Sequence, residues 1–198
     1  MPPVITDIDQ LDFSKQYSYA DYLSWKFTER VELIKGWISR MSPAPNMRHQ
    51  VISYNLTSVL SRLFWKSPCR VFVAPFDVRL INKKKSTPDQ EVYTVVQPDL
   101  CLICDESKLD ERGAVGAPDW IIEILSPGNT KKETQVKFEL YQEAGVREYW
   151  IVQPGDQNIL VFDLVDGKYL LRKIYTNEDE VPIGIHPGGS VDFRDVFE

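Results

Sequence analysis

Glu123 stands inside the run Ile121-Ile122-Glu123-Ile124-Leu125, where every neighbour favours burial. A carboxylate buried without a partner is strongly unfavourable or takes up a proton, so this position calls for a cation. The cation is either a metal ion or the side chain of an Arg or Lys. Side chains alternate across a strand, so Glu123 shares a face with Asp119, Ile121 and Leu125, opposite Trp120, Ile122 and Ile124. Asp99 follows Pro98 at the entry of the preceding apolar strand and shares its face with Cys101 and Ile103. A structural Asp that bonds nearby backbone amides is the alternative there. Paired strands lie ~4.8 Å apart, so two carboxylates on one face can share a hard divalent cation. Lys137 falls on the next helix, on the same face as Leu140, Tyr141 and Ala144, which aims its ammonium at the strand end carrying Glu123. Its alternative is a surface pair with Glu133, four residues earlier.

Three further residues are secondary candidates. Glu32 lies in an N-terminal hairpin and Asp77 in a strand with apolar neighbours; salt bridging and metal or water binding are both open to each. His49 begins the apolar face of a long helix, for catalysis or phosphate contact, or as a packed, hydrogen-bonded histidine. Arg48, Lys131 and Lys132 are candidates for a local phosphate-binding rim, and the loop run Lys83-Lys84-Lys85 is a weaker one. Cys101-x-x-Cys104 is not a zinc motif: residues three apart on a strand face opposite sides, and no second pair exists.

The elements that must position these residues follow from periodicity. A hairpin over Val31–Arg40 turns at Lys35-Gly36. A helix from about Asn46 to Trp65 carries Ile52, Leu56, Val59, Leu60 and Leu63 on one face. Strands are expected over 70–80, 91–96, 99–104 and 119–125, with a loop over 105–118. A helix over 130–144 and a strand over 147–153 complete a βαβ crossover, expected parallel. A second hairpin spans 158–175, turning at Asp166-Gly167. The core order is α–β–β–β–α–β with a hairpin added at each end, an α/β (α+β) arrangement around a mixed sheet. The 198 residues form a single domain in this reading, with 1–16 a loosely held arm.

Composition narrows the function. A net charge of −6 excludes a broad basic surface holding nucleic acid by phosphate attraction alone. No apolar run reaches the ~18–20 residues of a membrane span, and the N-terminus lacks a secretory pattern. Three cysteines do not make a disulfide framework, so a cytoplasmic setting is expected.

Pro98-Asp99 followed after 24 positions by Glu123-Ile124-Leu125 resembles the PD-(D/E)XK nuclease superfamily. Wider matches extend the likeness. Among them are Glu32-Leu33-Ile34-Lys35-Gly36, Met41-Ser42-Pro43-Ala44-Pro45, Arg48-His49, Val73 to Leu80, Ser126-Pro127 and Gly145 to Val152. Their order and spacing, from about Tyr17 to Pro154, resemble the Uma-type family of bacterial restriction-endonuclease-like proteins. The superfamily lysine two positions after the Glu is Leu125 here; a helix lysine stands in for it in this family, and Lys137 matches that place. Glu32 and Asp77 match acidic positions of the family pattern. The resemblance implies a restriction-endonuclease-like fold and Mg²⁺ or Mn²⁺ held by Asp99, Glu123 and the Ile124 carbonyl. It implies hydrolysis of DNA phosphodiester bonds with Lys137 steadying the developing charge. A homodimer is expected, since cutting both strands takes two sites. The competing readings are a non-catalytic DNA- or protein-binding member of the fold, and a metal-dependent hydrolase of a small phosphorylated substrate.

Overall fold

The computed structural model describes residues 4–41, 45–81, 88–127 and 131–198, with the side chain of Lys132 also outside the description. Its centre is a six-stranded mixed sheet. β1 (Val31–Ile34) and β2 (Trp37–Arg40) form the N-terminal hairpin, and α1 (Met47–Leu63) follows. β3 (Arg70–Val73), β4 (Leu100–Ile103), β5 (Trp120–Ile124), α2 (Lys131–Ala144), β6 (Glu148–Gln153), β7 (Asn158–Val165) and β8 (Lys168–Thr176) then build the core. The strand order is β8-β7-β6-β5-β4-β3. β5 and β6 pair in parallel through the α2 crossover, and every other neighbour pair in this sheet is antiparallel. The α–β–β–β–α–β order is thus α1-β3-β4-β5-α2-β6.

Alternation along β5 divides the core. Trp120, Ile122 and Ile124 pack with Ile52, Leu56 and Leu60 of α1 on one face of the sheet. Ile121 packs with Leu140 and Tyr141 of α2 on the other. Asn46 caps α1, its side chain accepting the His49 N–H at 2.9 Å. The turns at Lys35-Gly36 and Asp166-Gly167 place both residues at positive φ, as tight hairpins require.

A second six-stranded sheet covers part of the α2 side. It is built from β2, β1, Val95–Val96, Val78–Arg79, Gly113–Val115 and Leu109–Asp110, in that order. Its Val78, Val96 and Ala114 share a core with α2. Four expectations are corrected here. The strand expected over 91–96 is only Val95–Val96, with a 3₁₀ turn at Asp89–Glu91 before it. The single strand over 70–80 is two strands in different sheets, because Pro75 has no N–H for the ladder and the chain leaves the sheet there. The segment 105–118 is not only loop: Leu109–Asp110 and Gly113–Val115 pair with each other, and Arg79, itself buried, donates to Asp110 at 2.5 Å and to the Ala114 carbonyl. Within the arm, residues 4–16 are tied down, with Ile8 and Leu11 buried against Val31.

Cys69 and Cys104 form a disulfide joining the ends of β3 and β4, and Cys101 is free and buried. One bridge is not a framework, but it removes the cysteine count as support for a cytoplasmic setting. Among the described residues no helix is long and apolar enough to cross a membrane.

Candidate active site

The C-terminal end of β5 and the N-terminal entry of β4 meet at one cleft of about 1140 Å³, walled by the β1–β2 hairpin, the start of α1 and the first turns of α2. Asp99, Glu123, Glu32, His49 and Lys137 all line it. Glu123 is only 7% exposed. Its Oε1 accepts from Lys137 Nζ at 2.9 Å and from the Tyr141 hydroxyl at 2.6 Å. Lys137 also pairs with Glu32 Oε1 at 3.2 Å. Glu32 is held from behind by the Gln97 backbone N–H, 2.8 Å away. Asp99 Oδ2 accepts the Ile124 N–H at 2.8 Å and lies 3.3 Å from His49 Nε2.

Electrostatics follow from this packing. Three carboxylates face one ammonium. Burial pushes the Glu123 carboxyl up to about 7: Lys137 pulls it down, but Asp99 and Glu32 add to the rise. Burial pulls Lys137 the other way, and Glu123 and Glu32 overcome it, holding the ammonium charged above its ordinary range. Burial likewise opposes protonation of His49, yet Asp99 outweighs it and raises the imidazole. His49 Nδ1 is buried with no hydrogen-bond partner among the described residues.

Neither Asp99 Oδ1 nor Glu123 Oε2 has a protein donor among the described residues. That donor set, with an excess of negative charge, fits one hard cation. Mg²⁺ binds through one or two carboxylates and keeps several waters, so it needs no all-protein cage. Among the described residues no group of three or more His, Cys, Asp or Glu side chains could hold a metal ion by itself. A cation here would rest on the two carboxylates and water, a donor set of hard oxygens that suits Mg²⁺ or Mn²⁺ and not a structural zinc site.

The sequence model of the Uma2 family, described as "Putative restriction endonuclease", matches residues 19–192. The chain belongs to the Uma2 family. Its fold is that of a solved structure titled a putative nuclease belonging to DUF820, from Anabaena variabilis ATCC 29413. The two share 20% identity and a TM-score of 0.68, over 91% of this chain and 97% of that one. No curated protein matches the chain.

In this Uma2 chain, Asp99, Glu123, Lys137, Glu32 and His49 come together in one cleft. Asp77 does not join them. Its Oδ1 accepts from Gln97 Nε2 at 2.8 Å and from the Tyr22 hydroxyl at 3.3 Å, so among the described residues it touches the site through Gln97. Arg48 and Lys131 are exposed, on the first turns of α1 and α2. Lys83-Lys84-Lys85 and the Lys132 side chain lie outside the described residues. Two residues with direct contacts escaped sequence reasoning. Tyr141 was legible, since it lies four positions after Lys137 on the same helical face. Gln97 was not, because its backbone contact with Glu32 joins positions 65 residues apart.

Asp77 yields a pH prediction. Burial raises its carboxyl above the ordinary value despite the two donors. The folded state then keeps this proton longer than the unfolded one, so stability contributed here declines as pH rises above about 4. Asp77→Asn removes the penalty. The variant is expected to melt higher than wild type at pH 7, with the two curves converging near pH 4; a gap independent of pH would contradict the assignment.

Proposed function

We propose that this protein is a divalent-metal-dependent endonuclease that hydrolyses DNA phosphodiester bonds. The observation carrying this reading is the set Asp99–Glu123–Lys137 in one cleft of an α–β–β–β–α–β core, with membership of the Uma2 family beside it. Asp99, Glu123 and the Ile124 carbonyl would hold Mg²⁺ or Mn²⁺, which when bound supplies Lewis acidity to water and phosphate. Lys137 presents a fixed positive charge where negative charge develops on the phosphate, in a partly buried setting that makes it effective. Glu32 and Tyr141 are positioning residues: one anchors the Lys137 ammonium and the other the Glu123 carboxylate. His49 positions Asp99 in the same way. Arg48, Lys131 and Lys132 are proposed as the rim that meets flanking phosphates. A homodimer would bring two such sites to one duplex, whereas one copy suffices to break one strand.

The test is cleavage of plasmid and linear DNA by purified protein with Mg²⁺, Mn²⁺ or EDTA. Cleavage is expected with either metal and not with EDTA. Binding is expected to weaken with salt, by a slope of about −0.9 per phosphate contact on duplex DNA. Nicking that persists in EDTA, or that Glu123→Gln retains in full, would overturn the reading.

A further inference from the structure

β2 is the edge strand of the second sheet, and its first residue is Trp37. The register sets Trp37 directly across from Ile34 and Ser39 directly across from Glu32. Side chains two apart on a strand share a face. The Trp37 indole therefore stands on the same face of the hairpin as the Glu32 carboxylate that holds Lys137. All of these residues line the cleft, yet the Trp37 side chain is not absorbed into a core: the residue is 47% exposed. Met41 and Leu125 line the same cleft, so an apolar wall adjoins the carboxylates. Leu125, standing where the motif lysine would be, contributes to that wall.

Inside the rim proposed above, the lining of the cleft itself offers little free positive charge to hold phosphates. Five carboxylates line it against three cations, Arg30, Arg40 and Lys137, among the described residues. Each cation is already engaged. Arg30 donates to Gln97 Oε1 at 2.7 and 3.1 Å, Arg40 lies 3.2 Å from Asp9 and over the Phe13 ring, and Lys137 holds Glu32 and Glu123. A half-exposed indole beside apolar side chains offers a different attraction, the stacking of an unpaired base, which is sequence-tolerant and needs no free cation.

We propose that Trp37 is a base-stacking platform, and that the preferred substrate of this cleft is a single-stranded or locally unpaired DNA segment. The inference rests on the nuclease reading above. In a duplex the faces of the bases are already stacked on one another, so the indole gains nothing there. An unpaired base laid on Trp37 would bring a neighbouring phosphate toward the end of β5.

The test measures binding of the full chain by fluorescence anisotropy at low salt in EDTA, so that no cleavage intervenes. The probes are an oligothymidylate, a length-matched abasic oligomer with the same phosphates but no bases, and a duplex. Wild type is expected to bind the oligothymidylate most tightly. Trp37→Ala is expected to weaken that binding by ~5- to 150-fold, the range for one stacked base. The same variant should leave affinity for the abasic oligomer unchanged, and Trp37→Phe should restore most of the loss. A misfolded variant would lose both probes together, and far-ultraviolet circular dichroism identifies it; the Trp37→Phe comparison then decides. Equal binding of duplex and single strand by wild type, or an abasic oligomer bound as tightly as the oligothymidylate, would overturn the stacking proposal while leaving the nuclease reading intact. Absence of binding to all three probes, with no cleavage in Mg²⁺ or Mn²⁺, would overturn both.

Discussion

Glu123→Gln is expected to lower metal-dependent cleavage by on the order of 10³-fold, the scale on which removal of one preorganised electrostatic group acts. The substitution keeps the volume of the side chain and its capacity to accept from Lys137 and Tyr141, but removes the charge that a divalent ion requires. The same change is expected to raise the melting temperature of the metal-free protein. In the wild type the buried cluster sets Glu32, Asp99 and Glu123 against one lysine, and burial penalises the charged form of Glu123. Glutamine at this position leaves Lys137 its pair with Glu32, so no buried cation is stranded. Activity and stability therefore move in opposite directions. Parallel thermal denaturation and plasmid-cleavage assays would check this; a variant that loses activity and stability together would mean that Glu123 serves mainly as a structural ion-pair partner.

Lys137→Met is expected to move both quantities downward. Methionine fills a similar volume without charge, so Glu32 and Glu123 face each other with no counter-ion. Breaking a buried pair from one side costs about 3–5 kcal/mol, far more than an exposed pair would. The Lys137 side chain is 20% exposed, which places this site nearer the buried limit. Mg²⁺ or Mn²⁺ is expected to restore part of the lost stability, because a ligand that binds only the folded state stabilises it in proportion to the logarithm of its concentration. Cleavage should stay low even when metal has restored the fold, by about 10²- to 10³-fold relative to wild type, since no positive charge replaces the ammonium at the phosphate. Melting curves across a metal titration would show the recovery, and an Lys137→Arg variant would separate charge from geometry. If Lys137→Met melted as wild type does in EDTA, the ammonium would not be holding the two carboxylates in solution.

The contacts that were legible in sequence are those set by a local period. The two-residue alternation of β5 placed Glu123 on the α2 face, and the 3.6-residue period of α2 placed Lys137 and Tyr141 toward it. Only a short crossover separates them, so the pair 14 residues apart was readable. Asp99 was legible as a strand-entry acid beside Glu123. Its two readings coexist: Oδ2 accepts the Ile124 backbone N–H, as a structural Asp would, and the residue still lines the cleft.

What local patterning did not decide lies in the second sheet. Val78 and Val96 pair there with elements from distant parts of the chain; Pro75 marks the break within 70–80, but no local period says which sheet the chain then joins. That switch carries Asp77 behind Gln97 and out of the cleft, although its residue type and surroundings matched those of Glu32. Glu32 enters the site because β1 pairs with Val95–Val96, which brings it to Lys137 across 105 positions of sequence. The sequence by itself determined the core order, the faces of β5 and α2, and the acid–acid–lysine set, since each depends on backbone geometry that repeats every two or 3.6 residues. The tertiary structure alone decided which further acids reach that set and that Trp37 stands exposed beside it, because strand register between distant segments is chosen by the packing of the whole core.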